Sequence, residues 1–258
     1  ERKNATNRRK QGVSFVGLNA LVMQWYMHEY GWQHEDFAPF SINAHANAVH
    51  NPHARLRFAI SEKQYCDAPM IAAPINLMDA SPIGDGAAAA LIVPLDTLRG
   101  EKQAVQIAGS GAATDTLSIH SRKKPLFLQA AHLSAKQAYQ QAGITAKDVD
   151  FFELHDAFSI MAALSLEACG FAEIGQGPRL GLDNEIKLKG GRIPICTRGG
   201  LKARGHPVGA TGMYQIIESV QQLRGECAKT QVQNAKIGMT QNIGGSGASI
   251  LTHILKIA

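Results

Sequence analysis

Gly199-Gly200-Leu201-Lys202-Ala203-Arg204-Gly205-His206-Pro207-Val208-Gly209-Ala210-Thr211-Gly212 places one histidine in a glycine-dense turn, between Gly205 and Pro207. A helix is predicted to follow at once, because Ile216, Ile217, Val220 and Leu223 recur at helical spacing. Glycine allows positive φ and close approach of backbone to a ligand. Pro207 fixes its own φ and moves His206 out of the helical region. The expected result is a rigid imidazole above a helix N-terminus, where anions are favoured. Such a group suits proton transfer beside a ligand that carries a thioester or phosphates.

Working outward, helices alternate with short apolar strands. Leu18, Leu21, Val22, Trp25 and Tyr26 predict a helix over 17–30, stopped by Gly31. A second helix is expected from about Glu35 to Val49, ended by Asn51-Pro52. Ala87 to Val93, after the Asp85-Gly86 turn, reads as a short buried strand. A strand near 104–108 precedes an alanine-rich helix over 126–142, closed by Gly143. A strand over 150–154 ends at His155, and Asp156 reads as the N-cap of a helix running to Cys169. The histidine helix runs to about Arg224. Strands over 236–240 and 248–254 flank the glycine loop around Gly245. The alternation predicts a layered α/β fold.

The chain has 258 residues, 45% hydrophobic and 18% charged, an ordinary globular balance. No apolar run approaches the roughly 20 residues of a membrane-spanning helix, and no secretory signal is read. Cys66, Cys169, Cys196 and Cys227 are scattered without a Cys-x-x-Cys pair, which points to a reduced, cytoplasmic setting. Much of the net charge of +5 sits in Arg2, Lys3, Arg8, Arg9 and Lys10. This cluster reads as a solvated surface, with no nucleic-acid motif beside it. His45, His50 and His53 fit no zinc spacing, so no metal is expected.

Further blocks join the histidine turn. They are Ala80-Ser81-Pro82-Ile83-Gly84-Asp85-Gly86-Ala87-Ala88-Ala89, His155-Asp156-Ala157-Phe158 and Gln241-Asn242-Ile243-Gly244-Gly245-Ser246-Gly247. In this order, with the stretch around His206, they resemble the motif set of the thiolase family. The second resembles the variant found in its sterol-carrier-type and archaeal members. The likeness runs from about Gly17 to the C-terminus. It implies the layered α-β-α-β-α thiolase fold, with residues 1–98 a remainder of the N-terminal half and its loop region, and 99–258 a complete C-terminal domain. Thiolases place their nucleophilic cysteine in the first half of the protein, and no cysteine here has that sequence context. The chain, opening at Glu1, therefore reads as the C-terminal two-thirds of a thiolase-like protein, inactive alone.

The resemblance implies acyl transfer between coenzyme A thioesters, with the thioester as substrate and no separate cofactor. His206 matches the histidine that activates the nucleophile, a task suited to an imidazole with its pKa near neutrality. His155 matches a position that helps form an oxyanion hole; a structural histidine bonded to backbone is the alternative. Gly245 and Gly244 would present backbone N–H groups to a thioester oxygen, or simply close a turn. Ser81 matches a serine that contacts the pantetheine of coenzyme A in some thiolases, or is an ordinary turn serine. Asn242 and Ala157 stand where family members carry an acid–base cysteine, and Cys196 reads as a packed small hydrophobe. A retro-aldolase acting on coenzyme A esters with a partner subunit, or a non-catalytic acyl-CoA-binding subunit, are the competing readings. Thiolase relatives are dimers or tetramers, so a homo-oligomer is expected.

Overall fold

The protein is described here by a computed structural model, which covers residues 13–98 and 104–258. The basic cluster at 2–10 lies outside the described residues, and the expected 98/99 boundary abuts the outlying 99–103. Helix α1 (Phe15–Tyr30) starts at Ser14, whose side chain accepts from Gly17 N, and stops at Gly31 with φ 77°. The expected second helix begins as a 3₁₀ turn, His34–Phe37, before α2 (Ala38–Ala48). Pro39 sits in the first turn of α2, where its missing N–H costs nothing. Helix α3 (Glu62–Cys66) and a small hairpin of β1 (Met70–Ala72) and β2 (Ile75–Asn76) follow.

The main sheet belongs to the rest of the chain. Strand β3 (Val105–Thr114) leads to helix α4 (Gln129–Ala142), β4 (Phe151–Glu153), and helices α5 (Ser159–Ala168) and α6 (Gly177–Leu182). A π-helical turn, Gly200–Arg204, precedes helix α7 (Thr211–Leu223), and the hairpin of β5 (Ile237–Gly244) and β6 (Ser249–Ile257) ends the chain. The strand order is β3-β6-β5-β4, antiparallel except for the parallel β4–β5 pair. Strand periodicity sends alternate side chains to opposite faces. On β6, Ile250 and Ile254 join the core that holds the alanines of α4. Leu255 points the other way, packing with Phe151, Ile216 and Leu223. The sheet is therefore covered by a helix layer on each face.

Small residues set the spacing of the first layer. Ala130, Ala131, Ser134, Ala135 and Ala138 form the buried stripe of α4. Opposite them, a Cβ on Gly111 would lie 2.1 Å from Ser134 O, so only glycine lets the backbones approach this closely. Gln141 and Gln137 of α4 cap the outward N–H groups of Ser110 (2.9 Å) and Ala112 (3.2 Å) on the edge strand. A capped edge resists pairing with another chain.

Two expectations need correction. The run 87–93 forms no strand, and Leu91 is 91% exposed. Its composition suits a strand, but the run joins neither described sheet, and the edge strand β3 pairs with β6 alone. Asp156 does not cap α5: that helix starts at Ser159, with Phe158 in the cap position and no side-chain cap bond. The carboxylate of Asp156 is spent elsewhere, as shown next.

Candidate functional site

The glycine-dense turn folds into the π-helical turn because Gly199 O accepts from both Ala203 N (3.0 Å) and Arg204 N (3.3 Å). Gly200 holds φ 52°, and a Cβ there would strike the Asp156 carboxylate at 2.5 Å. Asp156 Oδ1 accepts from Leu201 N at 2.6 Å. Asp156 thus secures the start of the turn that carries His206, an element far from it in sequence. The chain then leaves the turn through Gly205 at φ 113°, and His206 N donates to Pro82 O at 3.0 Å. The Ala80–Gly84 segment acts as a strap: Ala80 bridges Phe158, Ile83 bridges His206, and Ser81 N donates to Ala157 O at 2.9 Å. Through this strap both histidine-bearing loops hold a fixed relation.

His155 and His206 meet edge to face, with ring centroids 5.2 Å apart. Both lie at the C-terminal side of β4 or of the loop beside it, where open α/β folds gather their ligands. Thr211, the first residue of α7, donates its hydroxyl hydrogen to Pro207 O at 3.1 Å. With its hydrogen so placed, its oxygen, 2.7 Å from Nδ1 of His206, can accept the ring hydrogen there, the tautomer that leaves Nε2 bare. Burial pushes the pKa of His206 down, with Asp156 raising and Arg204 lowering it. His155 is buried and falls to about 3, through desolvation first, then His206 and Arg204. Both rings are neutral near pH 7.

Beneath them lies a set of buried charges. Arg204 pairs with Glu218 of α7 and lies over the Tyr214 ring, 5.0 Å from its centroid. Glu153 accepts from Thr197 N at 2.8 Å, and burial, then Glu218, push its pKa up to about 7. These opposite shifts predict the pH dependence of stability. His155 stabilises the fold fully above its ordinary 6.5, and that contribution is lost as pH falls toward about 3. Glu153 stabilises it below 4.5, and that contribution is lost as pH rises through about 7. In urea unfolding across pH, His155→Gln is expected to flatten the acid limb and Glu153→Gln the neutral-to-alkaline limb. An acid limb unchanged by His155→Gln would contradict a buried neutral imidazole.

Of the other expected site residues, Ser81 lies on the strap between the two histidine loops. Gly244 ends β5 and Gly245 follows at φ 59° in the hairpin tip; both are exposed and neither shares a hydrogen bond with a histidine. Cys196 is buried at φ 50°, and burial followed by Asp156 pushes its thiol well above the ordinary range. His45 is buried and bonds Phe58 O through Nδ1. Among the described residues, no group of three or more His, Cys, Asp or Glu side chains could hold a metal ion. No described helix is long and apolar enough to cross a membrane. The structure gives Asn242 and Gln215 partners that the sequence does not show. Asn242 Nδ2 lies 3.3 Å from His155 Nδ1, and Gln215 of α7 lies behind it. Gln215 was detectable, because Thr211, Gln215, Glu218, Ser219 and Gln222 form a polar stripe at helical spacing and all are buried.

Comparison with known proteins now places this geometry. Residues 111–257 match the family described as Thiolase C-terminal domain-like. The chain belongs to the thiolase family. It is 42% identical over 246 residues to an acetyl-CoA acetyltransferase of Methanothermobacter thermautotrophicus, a match covering 95% of this chain and 64% of that enzyme. It is 33% identical over 233 residues to sterol carrier protein 2 of Homo sapiens, covering 88% of this chain and 42% of that protein. These likenesses put the thiolase chain in the sterol-carrier-type and archaeal-like branch. Among solved structures, the Ltp2-ChsH2(DUF35) aldolase superposes with TM-score 0.85 at 23% identity, over 95% of this chain and 64% of that one, and shares its fold. The chain thus spans less than two thirds of the length of each of these proteins.

Proposed function

We propose that this chain is the histidine-bearing portion of an acyl-CoA acyltransferase that makes or cleaves a carbon–carbon bond by thioester chemistry. The observation that carries the reading is the pair of neutral imidazoles 5.2 Å apart, held on loops that one strap ties together. A reacting thioester needs a base for the thiol and a donor for the developing oxyanion. His206 offers the bare Nε2 as the base. His155 offers a ring hydrogen to the oxygen. Ser81, on the strap, and Gly244 and Gly245, at the hairpin tip, would line the path of the coenzyme A thioester, which is the substrate; no separate cofactor is needed.

The attacking thiol is not among the four cysteines of the chain. Cys66 is exposed on α3, while burial pushes Cys169 and Cys227 up to about 12 and Cys196 well above its ordinary value. Such thiols are poor sources of thiolate. The nucleophile therefore comes from the part of its relatives' length that this chain does not span. Acetoacetyl-CoA with free coenzyme A tests this directly. The purified chain is expected to cleave none, and a polypeptide extended to its relatives' length is expected to cleave it. Cleavage by the chain alone, abolished by His206→Ala, would overturn the assignment of the thiol. Retro-aldol cleavage of a coenzyme A ester with a partner subunit is the competing reading, favoured by the lack of a thiol at Asn242 and Ala157; an extended polypeptide that leaves acetoacetyl-CoA intact would support it.

The protein is also proposed to self-associate, in the cytoplasm. Ile83, Leu91, Ile92 and Val208 are 75%, 91%, 72% and 63% exposed, apolar side chains that a second copy would take out of water. Light scattering on the purified chain is expected to report a symmetric oligomer; a stable monomer at micromolar concentration would refute it.

A further inference from the structure

The hydrogen-bond chain that ends on His155 takes its direction from backbone at its far end. Gln215 Nε2 donates to Glu153 O at 3.1 Å and to Gln241 O at 2.9 Å. Both amide hydrogens are thereby used, one on β4 and one on β5. Turning the amide over would set Oε1 against two carbonyl oxygens, so Oε1 has to face the other way, as an acceptor. It accepts from Asn242 Nδ2 at 3.2 Å. The same logic then applies to Asn242. Its nitrogen faces Gln215, and its remaining hydrogen is directed at His155 Nδ1, 3.3 Å away. Nδ1 of His155 accepts that hydrogen, and the ring proton sits on Nε2.

We propose that Gln215 and Asn242 are positioning residues that lock His155 in its Nε2–H tautomer, opposite to the Nδ1–H tautomer that Thr211 imposes on His206. The inference rests on the reading of the two histidines given above and names what sets them apart. Two adjacent neutral imidazoles can adopt four tautomer combinations, and only one makes His155 the donor and His206 the base at their Nε2 atoms. Three side chains outside the reacting centre select that combination. Asn242 thus has a role where the family resemblance expects a cysteine. It moves no proton itself, but it decides which nitrogen of its neighbour carries one. The relay also explains a buried glutamine at position 215 of α7: its end has to reach the carbonyls of two strands at once.

Nitrogen NMR of the chain labelled with ¹⁵N-histidine, at mildly alkaline pH, tests this without any turnover. Signals are assigned by loss in His155→Gln and His206→Gln. The expected result is His155 protonated at Nε2 with an accepting Nδ1, and His206 the reverse. Asn242→Asp keeps the size and replaces the donor by an acceptor, so His155 should change to the Nδ1–H form. Gln215→Met should release the Asn242 amide and leave His155 as a mixture of both tautomers. Gln215 is fully buried, so if that variant does not fold, the half-buried Asn242→Asp decides. An Nδ1–H His155 in the wild type, or a tautomer unmoved by Asn242→Asp, would overturn the proposal. In the extended polypeptide, Asn242→Asp should lower kcat by about 10²-fold with KM little changed, as for a lost oxyanion donor. If the tautomers behave as expected but no transfer from coenzyme A esters occurs, the relay stands and only the functional reading falls.

Discussion

His206→Ala is expected to lower acyl transfer by about 10²-fold or more in a polypeptide of its relatives' full length, the range for losing a positioned general base. The size follows from how the ring is held. Thr211 fixes one nitrogen at 2.7 Å, Pro82 O binds the backbone, and Gly205 and Pro207 confine the loop. No other described imidazole can replace it from that position, because His155 carries its proton on the nitrogen that would have to act as base. His155→Ala should cost a comparable factor through the lost oxyanion donor. Rates measured against acetoacetyl-CoA, beside melting temperatures, check both. Asp156→Ala gives the contrast. It leaves Leu201 N without its acceptor, so stability should fall by roughly 1–3 kcal/mol, as for an orphaned buried donor. Some activity should be lost with it, because the turn holding His206 loosens. Full activity in His206→Ala would remove this histidine from the chemistry.

The second large effect is structural. Arg204→Met is expected to destabilise the fold by about 3–5 kcal/mol, as for a buried ion pair that loses one member. Arg204 and Glu218 side chains are 3% and 6% exposed, and Glu153 lies close enough to raise the cost further. Without the guanidinium, Glu218 is left buried beside a second carboxyl, with only Arg198 to offset its charge. Urea unfolding at neutral pH measures the loss. The double variant Arg204→Met/Glu218→Leu should recover most of it, since two apolar side chains of similar volume replace the pair without a desolvated charge. Arg204 also lowers the pKa of His155 and His206, so the single variant should raise both. A loss below 1 kcal/mol would show that water reaches the pair.

The features that sequence alone determined are those governed by a few neighbouring residues. Gly31 and Gly143 end helices because only the glycine backbone enters the left-handed region freely. The alternation of helices and strands, and with it the layered α/β class, follows from apolar periodicity. The turn around His206 was legible for the same reason: Gly205 and Pro207 restrict the backbone whatever packs around it. Motif order carried the rest, bringing His155 and His206 onto one site.

Tertiary structure decided what depends on distant partners. The spacing of Ile216, Ile217 and Val220 helped locate α7 but carried no sign that its polar side is the more deeply buried. Those residues are only half-buried, while Thr211, Gln215, Glu218, Ser219 and Gln222 are inside. Periodicity shows that a helix has two faces; which one is buried depends on what it meets, and here it meets backbone carbonyls and buried charges. Asp156 has the residue type of a cap, yet the N–H it serves belongs to Leu201, far along the chain. Ala87 to Val93 has a strand's composition but joins no described sheet. Asn242 reads in sequence only as a missing cysteine. Its function, like that of Gln215, lies in hydrogen bonds between β4, β5 and α7, and no local pattern encodes a contact across three elements.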